Sequence, residues 1–128
     1  MKELVEEGKM KDSKYKWIEE SLTHIQFIFA EKTKMEILPQ WVKICQKMQL
    51  INLSGNHIRD ISDLESMSEI TELILHDNEI EEINWKKLTN LERLNLSHNK
   101  LKSFDMKSLP PHLLEIDLGD NNLTSLNL

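Results

Sequence analysis

Residues 91–101, LERLNLSHNKL, show most plainly the spacing that recurs through the second half of this chain. This stretch carries apolar residues at its first, fourth, sixth and eleventh positions and an asparagine at its ninth. Three more copies of this spacing occupy residues 48–58 (MQLINLSGNHI), 70–80 (ITELILHDNEI) and 113–123 (LLEIDLGDNNL). Their asparagines, Asn56, Asn78, Asn99 and Asn121, are 22, 21 and 22 residues apart. A period kept over four copies predicts a stack of similar structural units, each too thin to bury its own apolar side.

The pattern L-x-x-L-x-L-x-x-N-x-L at this repeat length resembles the leucine-rich repeat family. Repeats this short look most like the intracellular class typified by a regulatory subunit of protein phosphatase 1, and the LPP at residues 109–111 is similar to the Leu-Pro step of bacterial effector repeats. The resemblance implies an α/β leucine-rich repeat solenoid. Such a solenoid has a curved parallel β-sheet on its concave face, short helices or 3₁₀ turns on its convex face, and here a helical N-terminal cap. It also implies a scaffold that binds other proteins.

The repeats divide the chain into an N-terminal cap at residues 1–47 and four leucine-rich repeats at residues 48–128. Within the cap, Tyr15, Ile18 and Leu22 follow the spacing of one helical face and predict a short amphipathic helix that begins at Asp12 or Ser13. A cap of this kind would cover the apolar side of the first leucine layer, which would otherwise meet water.

A degenerate first strand is predicted within the cap at HIQFIF, residues 24–29, which is rich in β-branched and aromatic residues. Two registers fit it, one with Ile25 and Phe27 facing inward and one with Phe27 and Phe29 facing inward. In either register the asparagine position would be taken by Ala30 or Lys32. The aromatic residues of the cap are expected to form its core: Trp17, Phe27, Phe29 and Trp41.

The segments that connect one strand to the next differ from repeat to repeat. Pro39 suits the first turn of a second cap helix. Ser62 and Glu65 have the spacing of a capping box, which predicts a short helix, and Asn84 can cap a turn. The two prolines at 110–111 forbid a regular helix, so the third connection is predicted to be extended or 3₁₀.

The ninth-position asparagines are predicted to stack as a buried ladder. An amide buried without hydrogen-bond partners costs roughly 1–3 kcal/mol, so an asparagine repeated at one position implies repeated hydrogen bonds to the backbone turn. The expected members of this structural ladder are Asn56, Asn78, Asn99 and Asn121.

Charge is distributed unevenly along the chain. The 128 residues carry 16 basic and 22 acidic side chains, a net charge of −6. The cap is close to neutral, with nine lysines and eight acidic residues, whereas residues 48–128 carry seven basic and fourteen acidic side chains. An acidic repeat region repels phosphate backbones, which argues against nucleic acid as the main ligand and favours a protein with a basic or mixed-charge surface.

The cysteine content and the hydropathy predict a cytoplasmic protein. Cys45 is the only cysteine, so no intramolecular disulfide can form. No apolar run at the N-terminus resembles a signal peptide, and none elsewhere has the length of about 18–20 residues that a membrane span requires. We therefore expect no membrane partner.

The odd positions of each strand are predicted to point outward onto the concave face. We use that name for positions three, five, seven and eight of the repeats, which fall at residues 50–55, 72–77, 93–98 and 115–120. Ile74 is an outward apolar residue beside a histidine, which suggests a contact anchor. The candidate partner-binding residues are Asn52, Ile74, His76, Asn95, His98 and Asp117.

No catalytic, cofactor or metal site is expected. Cys45 is placed among apolar residues, a setting for an inert thiol, and the chain has no phosphate-binding glycine loop or nucleophile elbow. His76, Asp77 and His98 could approach one another, but a flat sheet face rarely supplies the converging ligands that zinc needs. The sequence thus predicts a non-enzymatic scaffold for protein–protein interaction.

The alternative function is a structural or assembly element. The chain stops at Leu128, close to the last repeat, so the final leucine layer would be uncovered. This favours either a piece of a larger leucine-rich repeat protein or self-association through the C-terminal edge.

Overall fold

The structure is a computed structural model that describes residues 20–127, with side chains described as far as Thr124. Within this range the chain forms seven three-residue strands and three 3₁₀ turns, joined by irregular segments. The strands are β1 (Phe27–Phe29), β2 (Leu50–Asn52), β3 (Glu72–Ile74), β4 (Arg93–Asn95), β5 (Ser103–Asp105), β6 (Glu115–Asp117) and β7 (Ser125–Asn127). The 3₁₀ turns are Gln40–Ile44, Ser62–Leu64 and Met106–Ser108.

Strands β1, β2, β3, β4 and β6 form one parallel sheet in that order, and β5 pairs with β7 in a second parallel sheet. The register is the one that the repeat spacing requires, because Ile51, Leu73, Leu94 and Ile116 stand side by side at position four. The predicted leucine-rich repeat solenoid is therefore confirmed, with 3₁₀ turns and extended segments in place of longer helices on the return side.

The core is a single column of apolar side chains that runs through the stack. Positions four and six of the repeats that contain β2, β3 and β4 contribute six buried side chains: Ile51, Leu53, Leu73, Leu75, Leu94 and Leu96. Burying one such side chain stabilises the fold by roughly 1.5–3 kcal/mol. Repeated in every layer, this burial makes each repeat depend on its neighbours for stability.

Each ninth-position asparagine connects two adjacent repeats through hydrogen bonds. Asn78 is typical: its Nδ2 donates to the carbonyl oxygens of Leu53 (2.9 Å) and Leu75 (3.1 Å), and its Oδ1 accepts from the Ile58 N–H at 3.0 Å. Asn56, Asn99 and Asn121 make the equivalent bonds, each between its own repeat and the preceding one. Among the described residues no buried side-chain polar atom lacks a partner, as expected for buried amides.

Both predicted registers of the first strand are wrong by one residue. Ile28 pairs with Ile51 and faces inward, which leaves Phe27 and Phe29 55% and 62% exposed on the opposite side. The position of the asparagine is taken by Thr33, not by Ala30 or Lys32. The backbone N–H and the hydroxyl of Thr33 both donate to Asn56 Oδ1 at 3.0 Å.

The reason for this register is that a further copy of the repeat begins within the predicted cap. Ile25, Ile28, Ala30 and Met35 stand at its first, fourth, sixth and eleventh positions and pack against the core. A shift by one residue would bury two phenylalanines and break the contact of Thr33 with Asn56. Phe27 and Phe29 are consequently not part of a cap core, whereas Trp41 is partly buried against the core.

Two of the predicted helix starts also need correction. Pro39 immediately precedes a 3₁₀ turn, Gln40–Ile44, and not an α-helix. Ser62 does not form a capping box, because its N–H donates to Asp60 Oδ1 at 2.9 Å and the Glu65 carboxylate accepts from the N–H of Asn84. The carboxylate of Glu65 thus connects two repeats instead of capping its own turn.

The other two predictions for the connections are confirmed. Asn84 Oδ1 accepts from the Lys86 N–H at 3.1 Å and caps the turn that contains the buried Trp85. The connection before the two prolines consists of β5 and a 3₁₀ turn. Trp85 and Phe104 are both buried in the core, and their ring centroids lie 4.1 Å apart.

Most of the predicted amphipathic helix lies outside the described residues, as does Trp17. Its last part falls within them: residues 20–22 are helical and Leu22 is buried against the core.

Candidate functional site

The concave face is a set of side-chain columns that cross five strands. β1 adds Phe27 and Phe29 to the predicted columns at positions three and five. Position three now contains Phe27, Leu50, Glu72, Arg93 and Glu115, and position five contains Phe29, Asn52, Ile74, Asn95 and Asp117. Neighbouring members of a column are about 4.8 Å apart, the spacing of paired strands.

Five of the six candidate partner-binding residues line one shallow groove on this face. The groove is open, has a volume of about 620 Å³, and is lined by Asn52, Ile74, His76, Asn95 and Asp117, together with Glu72, Arg93 and Glu115. His98 is not among its lining residues; it lies at position eight, in the turn that follows β4. The sequence therefore predicted most of this groove but neither of the two phenylalanines beside it.

An apolar patch occupies the β1 end of the concave face. Phe27 and Phe29 are more than half exposed. Leu50 pairs directly with Phe27 on the next strand, and Ile74 lies two strands from Phe29. Leu50 and Ile74 are both half-buried. The signal that could have revealed this patch is the repeat spacing of Ile25, Ile28 and Ala30, which ends at a threonine instead of an asparagine.

An acidic cluster occupies the β4 and β6 end. Arg93 lies between three carboxylates, with its guanidinium 3.7 Å from Glu72, 3.9 Å from Glu92 and 3.6 Å from Glu115. Asp117 adds a fourth, exposed carboxylate on the neighbouring position of β6. One arginine cannot neutralise four carboxylates, so this end of the face has a net negative charge.

The polar residues of position five also have a structural task. The side-chain oxygens of Asn52, Asn95 and Asp117 each accept the N–H two residues ahead, at 3.1, 3.0 and 2.9 Å, and so close a turn at the end of each strand. Asn52 also donates to Glu31 Oε1 at 2.8 Å. Among the residues of this column, Ile74 has no such hydrogen bond to make, and its side chain is available for an apolar contact.

Position eight is left-handed in every repeat. Lys32, Gly55, Asp77, His98 and Asp120 have φ values between +52° and +69°. Glycine, aspartate and histidine tolerate this conformation better than most residues. At Gly55 a side chain would also be too close to its neighbour, since an added Cβ would lie 2.9 Å from Lys32 Cγ.

The two histidines of the face are each close to a carboxylate. His76 Nδ1 lies 2.7 Å from Asp77 Oδ2, and His98 Nε2 lies 3.2 Å from Asp120 Oδ2. The hydrogen bond from His76 lowers the pKa of Asp77, with smaller contributions from the nearby charges of His98 and Lys32. In the described part of the chain, no group of three histidine, cysteine or acidic side chains could hold a metal ion.

Cys45 is fully buried, and burial raises the pKa of its thiol. A thiol with a raised pKa that is shielded from water is a poor nucleophile.

No helix within residues 20–127 is long and apolar enough to cross a membrane.

Comparisons with known proteins agree with the geometry. Residues 90–111 match the family described as Leucine Rich Repeat, and residues 110–128 match a second one described as Leucine Rich repeat. Over 100 residues the chain is 33% identical to the leucine-rich repeat-containing G-protein coupled receptor 5 of Rattus norvegicus, an alignment that covers 72% of this chain and 11% of the receptor.

Two solved structures from Listeria monocytogenes have a similar fold. An internalin (inlF) superposes with a TM-score of 0.71 at 28% identity, covering 79% of this chain and 30% of the internalin. Internalin C2 superposes with a TM-score of 0.58 at 20% identity, covering 85% of this chain and 63% of that protein.

The repeats of this chain are thus leucine-rich repeats, of a family whose domains generally mediate protein–protein interaction. The chain spans about a tenth of the length of the receptor and less than a third of that of the first internalin. The similarity to the phosphatase regulatory-subunit class and the cytoplasmic location stay predictions.

Proposed function

We propose that this chain is a non-enzymatic module that binds a partner protein through its concave face. One observation carries the proposal: two exposed phenylalanines, Phe27 and Phe29, lie beside the groove that contains Ile74. Aromatic side chains dominate the energetics of protein interfaces, and contiguous exposed apolar surface is typical of binding sites.

The scaffold beneath this face suits recognition because it is already ordered. Neighbouring strands are paired in register along the whole sheet, and the asparagine ladder connects each turn to the next. A partner that docks on such a surface has little backbone entropy to remove, so more of the contact energy contributes to affinity. We infer that the partner surface is basic or of mixed charge, since the repeats are acidic.

The test is affinity capture from cell lysate with a wild-type chain and an Ile74→Asp, Glu115→Lys double variant. Both substitutions lie on the concave face, and Glu115 is exposed and makes only a long ionic contact. A control variant, Ile37→Asp with Glu82→Lys, makes the same chemical changes at exposed positions outside the sheet.

Proteins retained by the wild type and the control but lost by the concave-face variant would support the proposal. Identical captures by all three chains would contradict it. Circular dichroism and urea unfolding of each variant establish that a loss of binding is not a loss of fold.

A second candidate function is assembly through the β6 side of the stack. The apolar residues of the last leucine layer, Leu113, Ile116, Leu118 and Leu123, are half-buried, whereas Leu94 and Leu96 one layer earlier are buried. A second copy of the chain or further repeats would remove this apolar surface from water. Sedimentation over a hundredfold range of protein concentration tests whether a second copy of the chain covers this surface, because self-association raises the measured mass with concentration.

A further inference from the structure

The concave face differs chemically from one end to the other. Around β1 and β2 it is apolar: Phe27 is paired with Leu50, and Phe29 extends the patch along the same strand. A phenylalanine at an interface buries roughly 150–250 Å². Two of them on one three-residue strand supply a large apolar contact area within a small region.

Around β4 and β6 the same face is anionic. Arg93 is its one cation, and it lies within 4 Å of Glu72, Glu92 and Glu115, so its charge is already shared. Arg93 and Glu115 are exposed, Glu72 and Glu92 are half-buried, and all three contacts are longer than hydrogen bonds, so these ion pairs are weak and can rearrange. A lysine or arginine from a partner can approach the remaining carboxylates without displacing a strong internal ion pair.

The distance between the two ends sets the spacing that a partner needs. Three strand-to-strand steps separate β2 from β6 along the sheet. At about 4.8 Å for each step, the apolar and anionic ends are roughly 14 Å apart. An extended segment covers this distance with about four residues, and a helix needs about nine or ten.

We propose that the concave face binds a protein segment with apolar side chains at one end and lysine or arginine about 14 Å further along. The proposal rests on the concave face being the binding site, and it adds the chemistry and the direction of the partner. Charge complementarity fixes the direction: the apolar side chains contact Phe27, Phe29 and Leu50, and the basic side chains contact Glu115 and Asp117 on β6. Nucleic acids and anionic lipid surfaces would be repelled by the same carboxylates.

The experiment selects binders from a displayed library of random 16-residue peptides on the wild-type chain. Selected peptides are then synthesised and their affinities measured against two variants. Phe27→Ser with Phe29→Ser removes most of the apolar end, and Glu92→Gln with Glu115→Gln reduces the negative charge of the other end. The control, Ile37→Ser with Glu82→Gln, makes one apolar-to-serine and one glutamate-to-glutamine change at exposed positions outside the sheet.

The expected peptides contain an apolar group of residues and a basic one at the spacing given above. They should lose about tenfold or more in affinity for each concave-face variant, which corresponds to about 1.4 kcal/mol, and none for the control. The loss with the glutamine variant should shrink at high salt, because ions screen exposed charges.

Peptides that lack basic residues, or that bind the glutamine variant as tightly as the wild type, would overturn this proposal while leaving a concave binding face in place. Peptides that bind both concave-face variants normally would overturn both proposals. A library that yields no binder would overturn the proposed chemistry, and the lysate capture would then decide the binding function alone.

Discussion

The asparagine ladder predicts an unusual pattern of energetic coupling between repeats. The carbonyl oxygen of Leu53 accepts hydrogen bonds from two side chains, Asn56 Nδ2 and Asn78 Nδ2, both at 2.9 Å. The carbonyl of Leu75 is shared in the same way by Asn78 and Asn99. Removal of one asparagine therefore leaves each carbonyl with its other donor, whereas removal of two neighbours leaves a buried carbonyl with neither.

The Asn78→Ala variant gives the size of the single effect. It leaves the Ile58 N–H without the acceptor that it has at 3.0 Å, and Ile58 is completely buried. An unsatisfied buried donor costs about 1–3 kcal/mol, and each lost hydrogen bond about 1 kcal/mol more. With the two bonds to the Leu53 and Leu75 carbonyls lost as well, we expect the free energy of unfolding to fall by about 3–5 kcal/mol.

The decisive measurement is a double-mutant cycle by urea unfolding. The Asn56→Ala, Asn78→Ala pair should lose about 1–3 kcal/mol more than the sum of its single variants, because the Leu53 carbonyl then has no asparagine donor. The matched control is the Asn56→Ala, Asn99→Ala pair, whose members share no carbonyl. That pair should be additive within about 0.5 kcal/mol. Equal coupling in both pairs, or none in the first, would refute the shared-carbonyl reasoning.

Three further predictions concern single positions. Ala30→Val should stabilise the fold by about 1 kcal/mol, because Ala30 borders an apolar cavity of about 60 Å³ and each buried methylene contributes about 0.8 kcal/mol. Urea unfolding tests this, and a lower midpoint for the variant would contradict it. Cys45, buried and with a raised pKa, should react with a thiol reagent only as fast as the chain unfolds, so complete labelling in native buffer within minutes would disprove the placement. The hydrogen bond from Lys100 lowers the pKa of Glu79, so its stabilisation is present above the ordinary glutamate pKa and is lost as pH falls through the lowered one. Lys100→Met should raise the Glu79 pKa in an NMR titration and make the acid loss of stability shallower, and an unchanged titration would exclude the contact.

Much of the concave face could be predicted from the sequence because it depends on a local rule. Once a strand has a fixed inward residue, its neighbours alternate, so Ile51 and Leu53 inward require Asn52 outward. The same rule placed Ile74 and Asp117 in one column, where the registers now put them. The hydrogen bonds that occupy Asn52, Asn95 and Asp117 were not predicted, because they depend on the turn geometry two residues ahead.

The repeat period, the inward and outward positions of four strands, and the asparagine ladder all follow from the amino-acid sequence alone. These features are specified locally, since the eleven-residue pattern specifies each repeat. The register of β1 depends on tertiary pairing, because alternation along HIQFIF fits either face and the repeat spacing of Ile25, Ile28 and Ala30 lacks its asparagine. That choice was made by the next repeat, where Asn56 accepts from the N–H groups of Thr33 and Met35 and Ile28 pairs with Ile51. Pairing between units separated by more than twenty residues is not written in either segment alone, and it places Phe27 and Phe29 on the surface.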